Sequence, residues 1–170
     1  MPLRDQLAEE RHLENLVDEL RRKNAAPASL ANALLGLGQM RTRRSDHGPA
    51  RKMLAEAAGL YRRVGAVVGE ANCLSSLGGV EFRESNNQVA RDLFNQALPL
   101  YRRVGDVLGE AITLESIGQL QMSEGEFGAA VASFRRAGEL YERVGQRARA
   151  EKCRAMVQDL AAKPSKRPHT

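Results

Sequence analysis

Apolar positions along the chain recur at three- and four-residue steps, in blocks separated by short polar turns. Between 71 and 83 they are Ala71, Leu74, Leu77 and Val80, and between 87 and 104 they are Ala90, Leu93, Phe94, Ala97, Leu100, Tyr101 and Val104. Each set lies on one face of a helix. Ser85, Asn86 and Asn87 separate the two blocks and supply turn chemistry. Gly105 suits a left-handed helix cap and Asp106 an N-cap for the next helix. No window alternates with period two, so no sheet is predicted. The same spacing predicts a helix over 3–24 with Leu13, Leu16, Val17 and Leu20 inward. It predicts another over 147–162 with Ala150, Cys153, Val157 and Leu160 inward.

The blocks repeat every 40 residues without a gap. LYRRVG stands at Leu60–Gly65 and Leu100–Gly105, and LYERVG at Leu140–Gly145; GEA stands at Gly69–Ala71 and Gly109–Ala111. Residues 31–70 and 71–110 are identical at 19 of 40 positions, and 71–110 and 111–150 at 13 of 40. A period of this length is the signature of a helical repeat array. Each repeat reads as two helices, giving about eight in all.

The repeat resembles the tetratricopeptide repeat family, in a 40-residue form with a GD-x-x-GEA junction similar to LGN-type adaptors and to many bacterial signalling proteins. The family's first helix carries a large apolar residue, another three on, then a small one: Leu34, Leu37, Gly38; Leu74, Leu77, Gly78; Leu114, Ile117, Gly118. Its second helix carries Ala, a large apolar residue and Ala: Ala50, Leu54, Ala57; Ala90, Phe94, Ala97; Ala130, Phe134, Ala137. Two features depart from the family. Arg41, Glu81 and Gln121 stand where an aromatic is usual, and the proline that closes shorter repeats is missing. The resemblance implies an all-α, right-handed α-solenoid of antiparallel helix pairs. Residues 1–24 would form an N-terminal capping helix, 25–145 three repeats and 146–162 a C-terminal capping helix. Glycine inside a helix costs roughly 0.5–1 kcal/mol, so close packing must offset it at Gly38, Gly78 and Gly118, with Ala50, Ala90 and Ala130 expected opposite.

Composition narrows the chemistry. Of 170 residues, 42% are hydrophobic and 28% charged, as in a globular chain, and there is no Trp. The net charge is +5, with 26 Lys and Arg against 21 Asp and Glu. Lys163, Lys166 and Arg167 lie in the last eight residues, a Pro-containing polar segment (163–170) expected to be a disordered basic tail; without it the balance is 23 against 21. That near-neutral body weighs against nucleic acid despite the pairs Arg62–Arg63 and Arg102–Arg103, which complement helix C-termini. Tyr61, Tyr101 and Tyr141 are spaced for packing between repeats. No apolar stretch is long enough for a membrane helix, and the charged start lacks a signal-peptide core. The two cysteines, Cys73 and Cys153, have no metal-binding or disulfide spacing and read as small core residues in a reducing cytoplasm.

His12, His47 and His169 do not repeat and have no nucleophile or acid at a recognisable spacing, so no catalytic, cofactor or metal residue is assigned. The resemblance implies instead an inner groove lined by the first helices, which holds a protein or peptide segment. Its positions here are Asn32, Leu35, Gln39 and Arg43; Asn72, Ser75, Gly79, Phe82 and Arg83; and Ile112, Glu115, Gln119 and Met122. Asn32 and Asn72 match asparagines that LGN-like repeats use to hold a ligand backbone, and Ile112 breaks that series. Phe82, Arg83 and Met122 are expected to hold apolar and acidic side chains on one inner surface. The alternatives are self-assembly, as a homo-oligomer or docked on a larger signalling chain, and a nucleic-acid-binding solenoid.

Overall fold

The computed structural model describes residues 3–162. These form eight α-helices, and no strand occurs among the described residues: α1 (Leu3–Arg22), α2 (Pro27–Arg43), α3 (His47–Arg63), α4 (Val67–Arg83), α5 (Asn87–Val104), α6 (Val107–Ser123), α7 (Phe127–Arg143) and α8 (Arg147–Ala162). The all-α architecture of consecutive helix pairs is the one the periodicity predicts. The segment 163–170, read from sequence as a tail, lies outside the described residues. The chain divides into two compact units, Met1–Val104 and Gly105–Thr170.

Helix ends follow from local chemistry. α4 begins a full turn before Ala71, so Gly69 and Glu70 belong to its first turn, where a carboxylate suits the positive end of the helix. At α6 the Asp106 side chain accepts from the Gly109 amide at 2.8 Å, the expected N-cap. C-terminal turns close by one paired pattern. In α3 the Ala66 amide donates to the Tyr61 carbonyl and the Gly65 amide to the Arg62 carbonyl; the pattern returns at Asn86 with Ser85 and at Gln146 with Gly145. The closing residue is left-handed: Gly65, Gly105 and Gly145 have φ of 70–74°, whereas Ser45 and Ser85 adopt 61° and 62°.

In the unit Met1–Val104, α2 pairs with α3 and α4 with α5, while α1 packs on α2 and α3 on α4. Val17 is buried against Ala31, Leu34, Leu37 and Ala57, with Leu13, Leu16 and Leu20 half-buried beside it. In the unit Gly105–Thr170, α7 packs on both α6 and α8. Ala150, Cys153 and Leu160 of α8 are buried as expected, and Val157 is half-buried. Glu151, Arg154 and Gln158 are exposed, whereas Ala111, Leu114 and Gly118, 40 residues earlier in register, and Ala71, Leu74 and Gly78, 80 residues earlier, are buried. α8 therefore presents a polar side where its equivalents hold a following helix.

The repeated glycines mark helix crossings. A Cβ on Gly78 would meet the Phe94 ring at 2.6 Å, one on Gly38 would meet Leu54 at 2.8 Å, and one on Gly118 would meet Phe134 at 3.0 Å. The facing group is thus the large apolar residue of the partner helix, not the alanine the sequence suggested. Ala50, Ala90 and Ala130 are fully buried, and the Ala50 carbonyl lies 3.5 Å from the Gly38 Cβ position, behind Leu54.

The residues that replace the family's aromatic are polar ties. Arg41 pairs with Glu10 of α1 at 2.8 Å, with Asp46 at 2.6 Å, and with Glu14. Glu81 is buried, takes the Arg51 guanidinium of α3, and accepts from Asn86 Nδ2 at 2.7 Å. Gln121 Oε1 accepts from Ser133 Oγ of α7 at 2.7 Å.

Candidate functional site

The first helices of the unit Met1–Val104 meet through side chains: Gln39 Nε2 of α2 donates to Ser76 Oγ of α4 at 3.3 Å. Both asparagines on this face are held the same way. The Tyr61 hydroxyl of α3 donates to Asn32 Oδ1, and the Tyr101 hydroxyl of α5 donates to Asn72 Oδ1 at 2.8 Å. The hydroxyl takes one of the two lone pairs of each amide oxygen and orients the amide, whose Nδ2 offers two N–H donors. The tyrosines also fill the core. The Tyr61 ring lies against Gly69 of α4, where a Cβ would collide with it. Burial pushes its hydroxyl pKa up, so it stays a donor at neutral pH.

The other expected face residues of this unit differ in role. Leu35 is half-buried and packs into the core. Ser75 is half-buried and engaged. Phe82 is half-buried at the end of α4, and Arg83 beside it is exposed, with Nη1 donating to its own helix at the Gly79 carbonyl, 3.1 Å away. Arg43 is exposed at the end of α2.

In the unit Gly105–Thr170, Ile112 of α6 is 37% exposed at the asparagine position. Glu115 replaces the asparagines as the tyrosine's acceptor: the Tyr141 hydroxyl donates to its Oε2 at 2.7 Å. Arg149 of α8 lies over the Tyr141 ring, 5.4 Å from its centroid, and Nη1 donates to the same hydroxyl at 2.8 Å. Lys152 Nζ donates to Glu115 Oε1 at 3.2 Å. Burial, then the bond to Glu115, raises the Tyr141 hydroxyl pKa strongly. Gln119 and Met122 are half-buried on α6. Arg149 and Lys152 were missed from sequence. The signal was present, because Lys152 falls at the 40-residue step after Asn32, Asn72 and Ile112.

Other chemistry is sparse. His12 is exposed on α1, His47 pairs with Glu84, and His169 lies outside the described residues. Cys73 and Cys153 are free, buried thiols, pushed up to about 12 and about 11 by burial, which leaves them protonated and poor nucleophiles. Among the described residues no three His, Cys, Asp or Glu side chains are grouped to hold a metal ion, and no helix is long and apolar enough to cross a membrane. A cleft of about 340 Å³ between α7 and α8 has Phe134, Gly138 and Val157 in its wall and Arg135, Glu139 and Arg154 among its charged residues.

Residues 69–143 match the tetratricopeptide repeat family. No curated protein matches the chain in sequence. In three dimensions it is similar to the crystal structure of BtubC (BKLC) from P. vanneervenii, with TM-score 0.69 and 18% identity over 99% of this chain and 81% of that one. It is also similar to the crystal structure of MamA, with TM-score 0.57 and 19% identity over 95% of each chain. At these identities the likeness is one of fold.

Proposed function

We propose that the chain is a non-catalytic adaptor or scaffold module. It binds a protein or peptide segment on the faces of its first helices, at α2 and α4 in one unit and at α6 in the other. The observation that carries this reading is the pair of tyrosine-anchored asparagines. Asn32 and Asn72 each have their oxygen engaged by a hydroxyl and their nitrogen left to donate. Two such donors in equivalent places suit the carbonyl groups of a polypeptide main chain. Phe82 and Arg83 add the residue types in which interface energy concentrates. Within this reading α2–α7 are the repeats, α1 and α8 are the flanking helices, and the 40-residue form is that of LGN-like adaptors. Two buried free thiols suit a reducing, cytoplasmic setting.

The test is a peptide selected from a random library on the purified chain. Phe82→Ala and Arg83→Ala are each expected to weaken it by about 1–2 kcal/mol with unchanged thermal melting. Normal binding by both folded variants overturns the placement, and unfolding of both assigns these residues to the core. Self-assembly is the second reading, and the partly apolar cleft between α7 and α8 is the feature that favours it. Light scattering after gel filtration separates the two, since a monomer at working concentration removes the second reading.

A further inference from the structure

α8 departs from the repeat at two positions on one side. Forty and eighty residues before Arg149 stand Gly109 and Gly69; before Lys152 stand Ile112 and Asn72. In the first unit, the missing side chain at Gly69 is what lets the Tyr61 ring lie against α4. At α8 the equivalent residue is a full arginine, and the Tyr141 ring carries its guanidinium on its face. Ring and hydroxyl together hold that guanidinium, with Nη1 donating to the hydroxyl, and a guanidinium has five N–H donors in all.

The charges around it do not cancel. Glu115 is the carboxylate between Arg149 and Lys152, and its side chain is only 13% exposed, while those of Arg149 and Lys152 are 48% and 63% exposed. Its ties to them are long: 3.7 Å to Arg149 Nη1 and 3.2 Å to Lys152 Nζ. Charge-assisted bonds to carboxylates run nearer about 2.7–2.9 Å. The acid sits beneath, bonded to Tyr141, and two incompletely used cations face solvent above it. One turn before Glu115 on α6, Ile112 adds an exposed apolar side chain.

We propose that this α6–α8 face binds an acidic peptide segment. A side-chain carboxylate takes the free N–H groups of Arg149 and Lys152, and a neighbouring apolar side chain of the same segment lies on Ile112. The inference rests on the peptide-binding reading above and gives it a chemistry in this unit. Where the first unit offers uncharged amide donors at Asn32 and Asn72, the second offers a pre-positioned cation pair. Because the guanidinium is already held against the ring, little side-chain freedom is lost on binding.

The experiment is fluorescence anisotropy with a short labelled peptide of alternating leucine and glutamate, and its leucine–glutamine counterpart as control. The acidic peptide is expected to bind and the control to bind far more weakly. Lys152→Gln, at an exposed position, and Arg149→Gln should each weaken the acidic peptide roughly tenfold. Glu115→Gln removes the competing carboxylate and should tighten binding severalfold; a melt of each variant checks folding. Equal binding of the two peptides, no binding of the acidic one to the wild type, or wild-type affinity in both Lys152→Gln and Arg149→Gln overturns the proposal. Loss on Asn72→Ala or Arg83→Ala with none on Lys152→Gln moves the site to α2 and α4, which overturns this inference and leaves the peptide-binding reading standing. Displacement of the peptide by a random oligonucleotide at lower concentration assigns the cations to nucleic acid and also overturns it.

Discussion

Three glycines do three different jobs, and single substitutions separate them. Gly78 sits where α4 crosses α5, with the Phe94 ring occupying the space a Cβ would take. Gly78→Leu is expected to destabilise by about 2 kcal/mol or more through overpacking; a urea midpoint equal to wild type would show that the helices cross elsewhere. Gly145 closes α7 at φ 74°. Gly145→Ala places a side chain in the left-handed region and should destabilise by about 1 kcal/mol. Gly59 lies inside α3 with nothing near its Cβ position, so Gly59→Ala should stabilise by about 0.5–1 kcal/mol. The period alone marked Gly78 as a packing glycine. It did not reveal the facing group, because Ala90 and Phe94 share one helix face in sequence and only the crossing angle decides which of them meets Gly78.

At the scale of the helix, α5 and the α3–α4 junction are informative. α5 runs unbroken through Pro99, which has no amide to give the Asn95 carbonyl. Both residues are exposed, so the carbonyl lies on the solvent side of the helix, which survives at a cost in stability. Pro99→Ala is expected to raise stability by about 1–3 kcal/mol, read from thermal and urea melts together. Between α3 and α4, bonding to Arg51 first, then to Asn86, holds the Glu81 carboxyl below the usual glutamate range. The unfolded chain therefore takes up that proton at a higher pH than the folded one. The stabilisation is complete above the unfolded value of about 4.3 and is lost as pH falls from there through the lower folded value. Arg51→Met leaves the buried acid without its main partner and should destabilise by about 2 kcal/mol at neutral pH, with a shallower acid limb than wild type. An acid limb unchanged by the substitution would mean that Arg51 does not set the Glu81 titration. This junction was only half legible: Glu81 showed as a departure from the family's aromatic, but Arg51, 30 residues away, becomes its partner only when α3 packs on α4.

For the whole molecule, the helix pairs could be read from sequence because local pattern, turn chemistry and the 40-residue period agree. The family match begins at Gly69, yet residues 31–70 repeat 71–110 at 19 of 40 positions and fold into the equivalent pair, α2 with α3. The candidate face was legible as positions, not as chemistry. Asn32 and Asn72 stood out, but the hydroxyls that orient them come from Tyr61 and Tyr101, each 29 residues away on the paired helix. Arg149 and Lys152 lie on α8, whose sequence reads as a flanking helix, although its 40-residue register shares a face with α6. The proposed function requires that first helices, not second helices, carry the partner. A photo-crosslinking map tests it most directly, using a library-selected peptide that carries a benzophenone side chain and locating adducts by mass spectrometry. Adducts are expected on α2 or α4 in one unit and on α6 or α8 in the other, at Phe82, Arg83, Ile112 or Met122 and their neighbours. Adducts confined to exposed positions of the second helices, such as Ala55 of α3, Asn95 of α5 or Arg135 of α7, would contradict it.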